Sequence, residues 1–254
     1  MKQPTWAGVR AIVLAVTALF LLPLQAQAER DWEFSVGAFG GKAFNSNEDI
    51  KINFGEGSPF STGTVHGVNL NDSPTFGAKI TAWYLPRQYN WQPQIGLELD
   101  YTKFTADLHP QTAGATGTSL TPGLELGAVI FGSPPQDISV NILAANLLFR
   151  YPIWATAEMP QGRWYPYIGA GVGVERARSS DFPPGHQETD YAPAFQGLAG
   201  IKFFLIKNFA VFAEWKRTTA WHTFDYDGTL LPPGYSEQWT IASNLVVGGI
   251  ALHF

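Results

Sequence analysis

Beyond Trp32, apolar and polar residues alternate along most of this chain, in eight runs separated by stretches rich in Gly, Pro, Asn and Asp. The runs are approximately Trp32 to Phe44, Thr75 to Tyr84, Gln94 to Thr105, Ile138 to Tyr151, Trp164 to Ala177, Ala194 to Leu205, Phe209 to Thr219 and Trp239 to Phe254. A period of two sends successive side chains to opposite faces, so each run predicts a strand with one apolar and one mixed face. About 9 to 11 residues cross a bilayer at a tilt, and each run is long enough. Connections alternate in length: Leu85 to Pro93, Pro152 to Arg163 and Ile206 to Asn208 are short. Those over Asn45 to Pro74, Ala106 to Asp137, Arg178 to Pro193 and Ala220 to Gln238 are long. An even strand count with this alternation predicts an all-β fold, an eight-stranded antiparallel up-and-down transmembrane β-barrel with both termini and the short turns on one side.

Parity assigns the faces. In the fourth run Leu143, Ala145, Leu147, Phe149 and Tyr151 share one side, and Asn146 and Arg150 the other; in the eighth, Val246, Gly248, Ile250, Leu252 and Phe254 point outward. The same rule sends Lys79, Glu98, Asp100, Arg150, Glu175, Lys202, Glu214 and Lys216 inward, four positive and four negative charges. Eight strands enclose a bore that side chains can fill, so these groups are expected to pair across it, with Glu98 as the partner of Arg150. Gly169, Gly171 and Gly173 also point inward and are expected to make room for Phe39 and Phe212. Trp32, Trp83, Tyr84, Trp91, Tyr151, Trp154, Trp164 and Phe254 gather at the short-turn ends, as an interfacial girdle would.

Composition narrows the setting. Charged residues are 15% of the chain and aromatics 14%, with nine Trp, a balance suited to a protein that shows lipid only alternate side chains. Cysteine is absent, so no disulfide, thiolate metal site or cysteine nucleophile can be built. Lys2 and Arg10 precede an apolar run from Ala11 to Leu22, then Pro23 and the small-residue site Ala26-Gln27-Ala28. Residues 1–28 are thus expected to be a cleaved signal peptide and 29–254 the barrel domain, because the apolar run is shorter than the roughly 20 residues of a spanning helix. Loss of Lys2 and Arg10 leaves 14 basic against 21 acidic residues, a net of −7, which argues against nucleic acid as a partner. Phe254, closing the last run, is the expected signal to the outer-membrane assembly machinery.

The phrases Phe76-Gly-Ala-Lys-Ile-Thr-Ala-Trp-Tyr-Leu85, Asn146-Leu-Leu-Phe-Arg-Tyr-Pro152, Pro166-Tyr-Ile-Gly-Ala-Gly-Val-Gly-Val174, Phe195-Gln-Gly-Leu-Ala-Gly-Ile-Lys-Phe203 and Phe212-Ala-Glu-Trp-Lys216 resemble small outer-membrane barrel proteins of the OmpA/OmpX type. The resemblance spans Glu29 to Phe254 and implies architecture and outer-membrane location. Its phrases are scaffold positions, so it implies little about activity. The layout is also similar to barrels described as lipid A oxidases.

Candidate chemistry lies in the long connections. Each holds one histidine, His66, His109, His186 or His222, near acids that include Asp72, Asp107, Asp181, Glu188, Asp190, Asp225 and Asp227. A metal or acid–base site at the barrel mouth could be drawn from them, though no spacing matches a ligand signature such as His-Glu-x-x-His. The long connections carry only Lys51 and Arg178 as bases, among acids from Glu48 to Glu237; the short turns carry Arg87, Arg163 and Lys207 against Glu158. Three functions follow from the sequence. The leading one is a structural or adhesive barrel, its lumen plugged, that meets an external ligand through its long connections. An oxidase-like enzyme acting on lipid A comes second and a narrow pore third. No cofactor is expected; the expected partners are outer-membrane lipids, including lipopolysaccharide, and the assembly machinery, with the protein acting as a monomer.

Overall fold

The computed structural model describes residues 31–254 except 88, 90, 126, 132–136, 157–158, 181–186 and 226–231. The expected signal peptide, residues 1–28, and His186 therefore lie outside the described residues. Eight strands form a closed antiparallel ring: β1 (Trp32–Asn45), β4 (Ser73–Tyr84), β5 (Gln94–Thr105), β8 (Asp137–Arg150), β9 (Trp164–Ser180), β10 (Gln187–Ile206), β11 (Phe209–Asp225) and β12 (Tyr235–His253). Ring neighbours are also chain neighbours within this set, and β12 closes on β1 from Ser35 opposite His253 to Asn45 opposite Ser243. The fold is thus all-β and up-and-down, as the alternation predicts. Closure removes the free edges that an open sheet would leave.

Alternation is sustained because each strand separates two environments. On β5, Leu97, Leu99 and Tyr101 are 43–59% exposed while Glu98, Asp100 and Thr102 are at most 5%. Outward residues around the ring include Leu143, Leu147, Val172, Val174, Phe195, Ile201, Trp215, Val246 and Ile250, all exposed and apolar. This band fits hydrocarbon contact. Trp32, Tyr84, Tyr151, Trp154 and Phe254 are exposed at the end that holds both described termini, hereafter the terminal end. Trp83 departs from the expected girdle. It is 1% exposed, because its neighbour Tyr84 takes the outward position and parity turns the indole into the bore.

Inward glycines are matched to inward bulk across strand pairs. Phe39 lies opposite Gly77 and Gly249, Trp83 opposite Gly96, Tyr167 opposite Gly200, and Phe212 opposite Gly249. In each of Gly77, Gly96, Gly200 and Gly249, an added Cβ would run into the ring of a facing aromatic. The expectation for Gly169, Gly171 and Gly173 needs correction: they face Leu148, Asn146 and Ala144 of β8, and Phe39 and Phe212 rest elsewhere. The reason is register, which decides the cross-strand partner and which parity alone does not supply.

The long connections are more ordered than loops. Two of them fold into β2 (Glu48–Phe54), β3 (Phe60–Val68), β6 (Gln111–Ser119) and β7 (Ala128–Phe131), which continue the sheet as β12-β2-β3-β6-β7. β12 is longer than β1, so its outer segment would present unpaired backbone groups; β2 takes them up from Tyr235 opposite Phe54 to Gln238 opposite Lys51. Asn45 marks where the chain leaves the ring, its amide bonded to the carbonyls of Asn71 and Thr105 and its oxygen accepting from the Ser243 hydroxyl. The added sheet buries Ile50, Ile52, Val65, Ala113 and Ala115 against a core that continues into the far end of the bore through Phe104, Val140, Ile142 and Leu245.

Candidate functional site

The interior charges form two linked groups. Toward the middle of the bore, the Lys79 ammonium donates to Glu214 at 2.6 Å and lies 3.5 Å from Glu98. Lys216 pairs with Asp100 and lies 3.3 Å from Glu214. Hydroxyl and amide donors complete the carboxylates: Tyr167 to Glu214 at 2.7 Å, Thr81 and Asn146 to Glu98 at 3.0 and 3.2 Å, and Thr102 to Asp100 at 2.7 Å. The two ammonium groups also face rings, Lys79 over Phe212 at 4.4 Å and Lys216 over Phe39 at 4.1 Å. Such contacts gain strength when water is excluded. A buried charge is tolerable only when paired and hydrogen-bonded, and here each carboxylate of the chain Glu98, Lys79, Glu214, Lys216, Asp100 has more than one donor.

A second group sits nearer the terminal end. Arg150 is sandwiched between Trp83 and Tyr165, its guanidinium carbon 4.4 and 4.5 Å from the ring centroids. Its Nη2 pairs with Glu33 and its Nε donates to Gln94 at 2.8 Å. The expected partner, Glu98, is therefore replaced by Glu33. Glu98 is drawn to Lys79, and Glu33 reaches Arg150 from β1 across the bore, a contact between strands that are not ring neighbours. His253 also bonds Glu33 and stands 3.4 Å from Lys202 Nζ. Glu33, Gln94 and His253 escaped the sequence reading because they lie within two residues of strand ends. The signal was present, since outward Trp32, Phe34 and Phe254 force Glu33 and His253 inward. All eight charges assigned inward by parity are at most 5% exposed, and Glu175 lies apart from the others, toward the far end.

The described histidines are not drawn together. His66 is exposed, bonded to Asp49 at 3.0 Å and Thr116 at 2.9 Å; His109 meets Asn71 at 2.6 Å. His222 is buried with Nδ1 3.0 Å from Asp190 and Nε2 3.2 Å from Glu175. No group of three or more His, Cys, Asp or Glu side chains that could hold a metal occurs among the described residues. The four-histidine metal candidate is thus not assembled by His66 on β3, His109 in the connection between β5 and β6, and His222 on β11, each of which has its own separate partners.

The outer sheet instead makes a polar surface. Residues opposite in parity to its buried apolar row, namely Lys51, Asn53, Thr62, Thr64, Thr116, Thr118, Ser236 and Gln238, line an open concavity of about 500 Å³. Strand pairing aligns them in two rows, Gln238-Lys51-Thr64-Thr116 and Ser236-Asn53-Thr62-Thr118. At its border Asp49 accepts from the Gly67 backbone N–H and bonds His66, which holds its carboxyl below the usual value. Beneath the sheet Glu237 accepts from Trp239 Nε1 at 3.0 Å and the Tyr235 hydroxyl at 2.9 Å, and burial raises its pKa.

No family model and no curated protein sequence matches the chain. Among solved structures it is similar to Neisserial surface protein A, at 13% identity with 88% of this chain and 97% of that one covered and a TM-score of 0.46. It is also similar to the outer membrane protease OmpT of Escherichia coli, at 10% identity with 91% and 99% covered and a TM-score of 0.44. A further match is the N-terminal β-barrel domain of Pseudomonas aeruginosa OprF, at 11% identity with 87% and 97% covered and a TM-score of 0.38. The closed ring, the apolar outward band and the charged interior belong to this chain's own geometry, and together they make it an eight-stranded up-and-down antiparallel β-barrel.

Proposed function

We propose that this protein is an integral barrel of the bacterial outer membrane, with termini in the periplasm, a plugged bore, and a surface-interaction role carried by the β-sheet outside the membrane. One observation carries the reading: β2, β3 and β6 spend their apolar face on the barrel mouth and turn a row-aligned polar face with a 500 Å³ concavity away from it. Hydroxyls and amides in that arrangement suit a polyhydroxylated partner, since Thr, Asn and Gln side chains both donate and accept. The plug is supported by the ion-paired stack inside and by the apolar far-end core above it. Among the described residues the histidines lend the lipid A oxidase-like alternative no support: His66, His109 and His222 lie apart with separate partners, and both ring nitrogens of the buried His222 are engaged by carboxylates.

The test uses protein folded into lipid nanodiscs and a panel of neutral and acidic bacterial and host oligosaccharides as probes. Wild type should retain at least one saturably, and a Thr62→Ala, Thr64→Ala, Thr116→Ala variant should lose it. Retention unaffected by the substitutions, or none by wild type, contradicts the reading. Mass spectrometry of lipid A from cells with and without the gene should show the same profile; a changed profile would restore the enzyme reading.

A further inference from the structure

The far border of the outward apolar band holds two cations that pair with no acid among the described residues. Strand register aligns Phe76, Lys103, Asn141, Arg176 and Tyr191 in one row across β4, β5, β8, β9 and β10. The row points outward, because the flanking residues Thr102, Phe104, Val140, Ile142, Glu175 and Ala177 are all fully buried in the bore. The next rows toward the terminal end are Tyr101-Leu143-Val174 and Leu99-Ala145-Val172, dominated by apolar side chains. The next row toward the far end, Thr105-Ser139-Arg178, is polar. Lys103 and Arg176 therefore mark the boundary between hydrocarbon and headgroup.

Two other outward cations near this border have carboxylates close by, while Arg178 bonds the Gln187 side chain. Lys42 pairs with Asp72 at 2.9 Å, and Arg217 bonds Asn244 and interacts with the Glu48 carboxylate. Lys103 and Arg176 make no ion pair among the described residues, and Arg176 Nε is shielded from solvent without a hydrogen-bond partner. Between them Asn141 is fixed by the Tyr101 hydroxyl, which donates to its Oδ1 at 2.9 Å and leaves its NH2 group as a donor. The Lys103 ammonium rests 5.9 Å from the Phe76 ring centroid, on the side of β5 away from Asn141, and the two backbones stand two strand spacings apart, about 10 Å, so a swing of the lysine across β5 brings both long side chains over Asn141. Asp107 and Asp137 lie four residues further along, about 13 Å, and Asp107 is occupied by Thr105 and the Ile138 N–H.

We propose that Lys103, Asn141 and Arg176 form a site for a phosphorylated lipid of the outer leaflet, its phosphate held by these three donors and its acyl chains laid along Tyr101, Leu143, Val174 and Val172. The inference rests on the reading of the chain as a membrane-spanning barrel. A guanidinium, an ammonium and an amide with no carboxylate among them suit a phosphate oxyanion. The apolar rows beneath select a lipid rather than free phosphate.

Native mass spectrometry of protein released from detergent micelles tests this with bisphosphorylated hexaacyl lipid A as the probe. Wild type should retain one lipid, Lys103→Ala with Arg176→Ala should weaken retention by about tenfold or more, and Lys42→Ala with Arg217→Ala should change it less than about twofold. Lipid A stripped of phosphate should not be retained, and millimolar inorganic phosphate should not displace the bound lipid. Equal retention by the Lys103/Arg176 variant, equal retention of the phosphate-free lipid, or displacement by inorganic phosphate would each overturn the proposal. Failure of wild type to give a heat-modifiable folded band in vesicles would overturn the membrane reading as well; a folded band with unselective lipid retention sinks the lipid site alone.

Discussion

Arg150 shows how a single side chain reports on the interior. It lies 1% exposed between two aromatic rings, and its charge is balanced by Glu33 from across the bore. Arg150→Ala would strand that carboxylate beside His253, and breaking a fully buried pair costs about 3 to 5 kcal/mol, less if water fills the space. The temperature at which the folded, faster-migrating gel band is lost should fall, and adding Glu33→Gln should recover part of the loss. Adding Glu98→Gln should not, because Glu98 is held by Lys79, Thr81 and Asn146. Rescue by Glu98→Gln rather than Glu33→Gln would reverse the assignment. On the outer face, Leu147 is 44% exposed within the apolar band, and Leu147→Arg should destabilise the barrel by about 2 to 4 kcal/mol, read from urea unfolding in lipid vesicles. An unchanged midpoint would mean that this face does not meet hydrocarbon.

At the scale of elements, the eight ring strands were legible because long runs with strict alternation admit one register of faces, and the bounds differ from the sequence reading mainly at the far end. β10 starts at Gln187 and β11 runs to Asp225, well past the apolar band, where polar residues such as Asp190, His222 and Thr223 are mixed with Tyr191, Trp221 and Phe224 on both faces and blur the alternation. The outer sheet was missed for a different reason. Ile50, Ile52 and Phe54 alternate with Lys51 and Asn53, but over seven residues, and β3 and β6 are interrupted by Gly63, Gly67, Gly114 and Gly117; what holds them is the unpaired outer edge of β12, a tertiary cause. Parity named eight interior charges but missed Glu33 and His253, and it gave none of the pairings, since Glu33 and Arg150 meet across the bore. The outer sheet also carries a pH dependence. Burial raises the pKa of Glu237, so the folded sheet binds a proton more readily than the unfolded chain, and stability declines as pH climbs from the ordinary carboxylate range through the raised value. Glu237→Gln should remove that decline and slow amide hydrogen exchange in β2 and β12 at neutral pH. Exchange that remains equally pH-dependent in the variant would assign the effect to another group.

The barrel of the described residues has two kinds of filling: an ion-paired stack toward the terminal end and middle, and an apolar core toward the far end that merges with the base of the outer sheet. Lys79, Arg150, Lys202 and Lys216 and the acids around them are at most 6% exposed, and the aromatic rings of Phe39, Trp83, Tyr165, Tyr167 and Phe212 occupy the space between. We propose that a bore of eight strands filled in this way leaves no continuous aqueous path. Single-channel recording in planar bilayers tests that claim directly, on protein whose folded band confirms insertion. Inserted protein should give no stable ohmic current at any moderate voltage, whereas regular, ion-selective openings of constant conductance would contradict the filled interior.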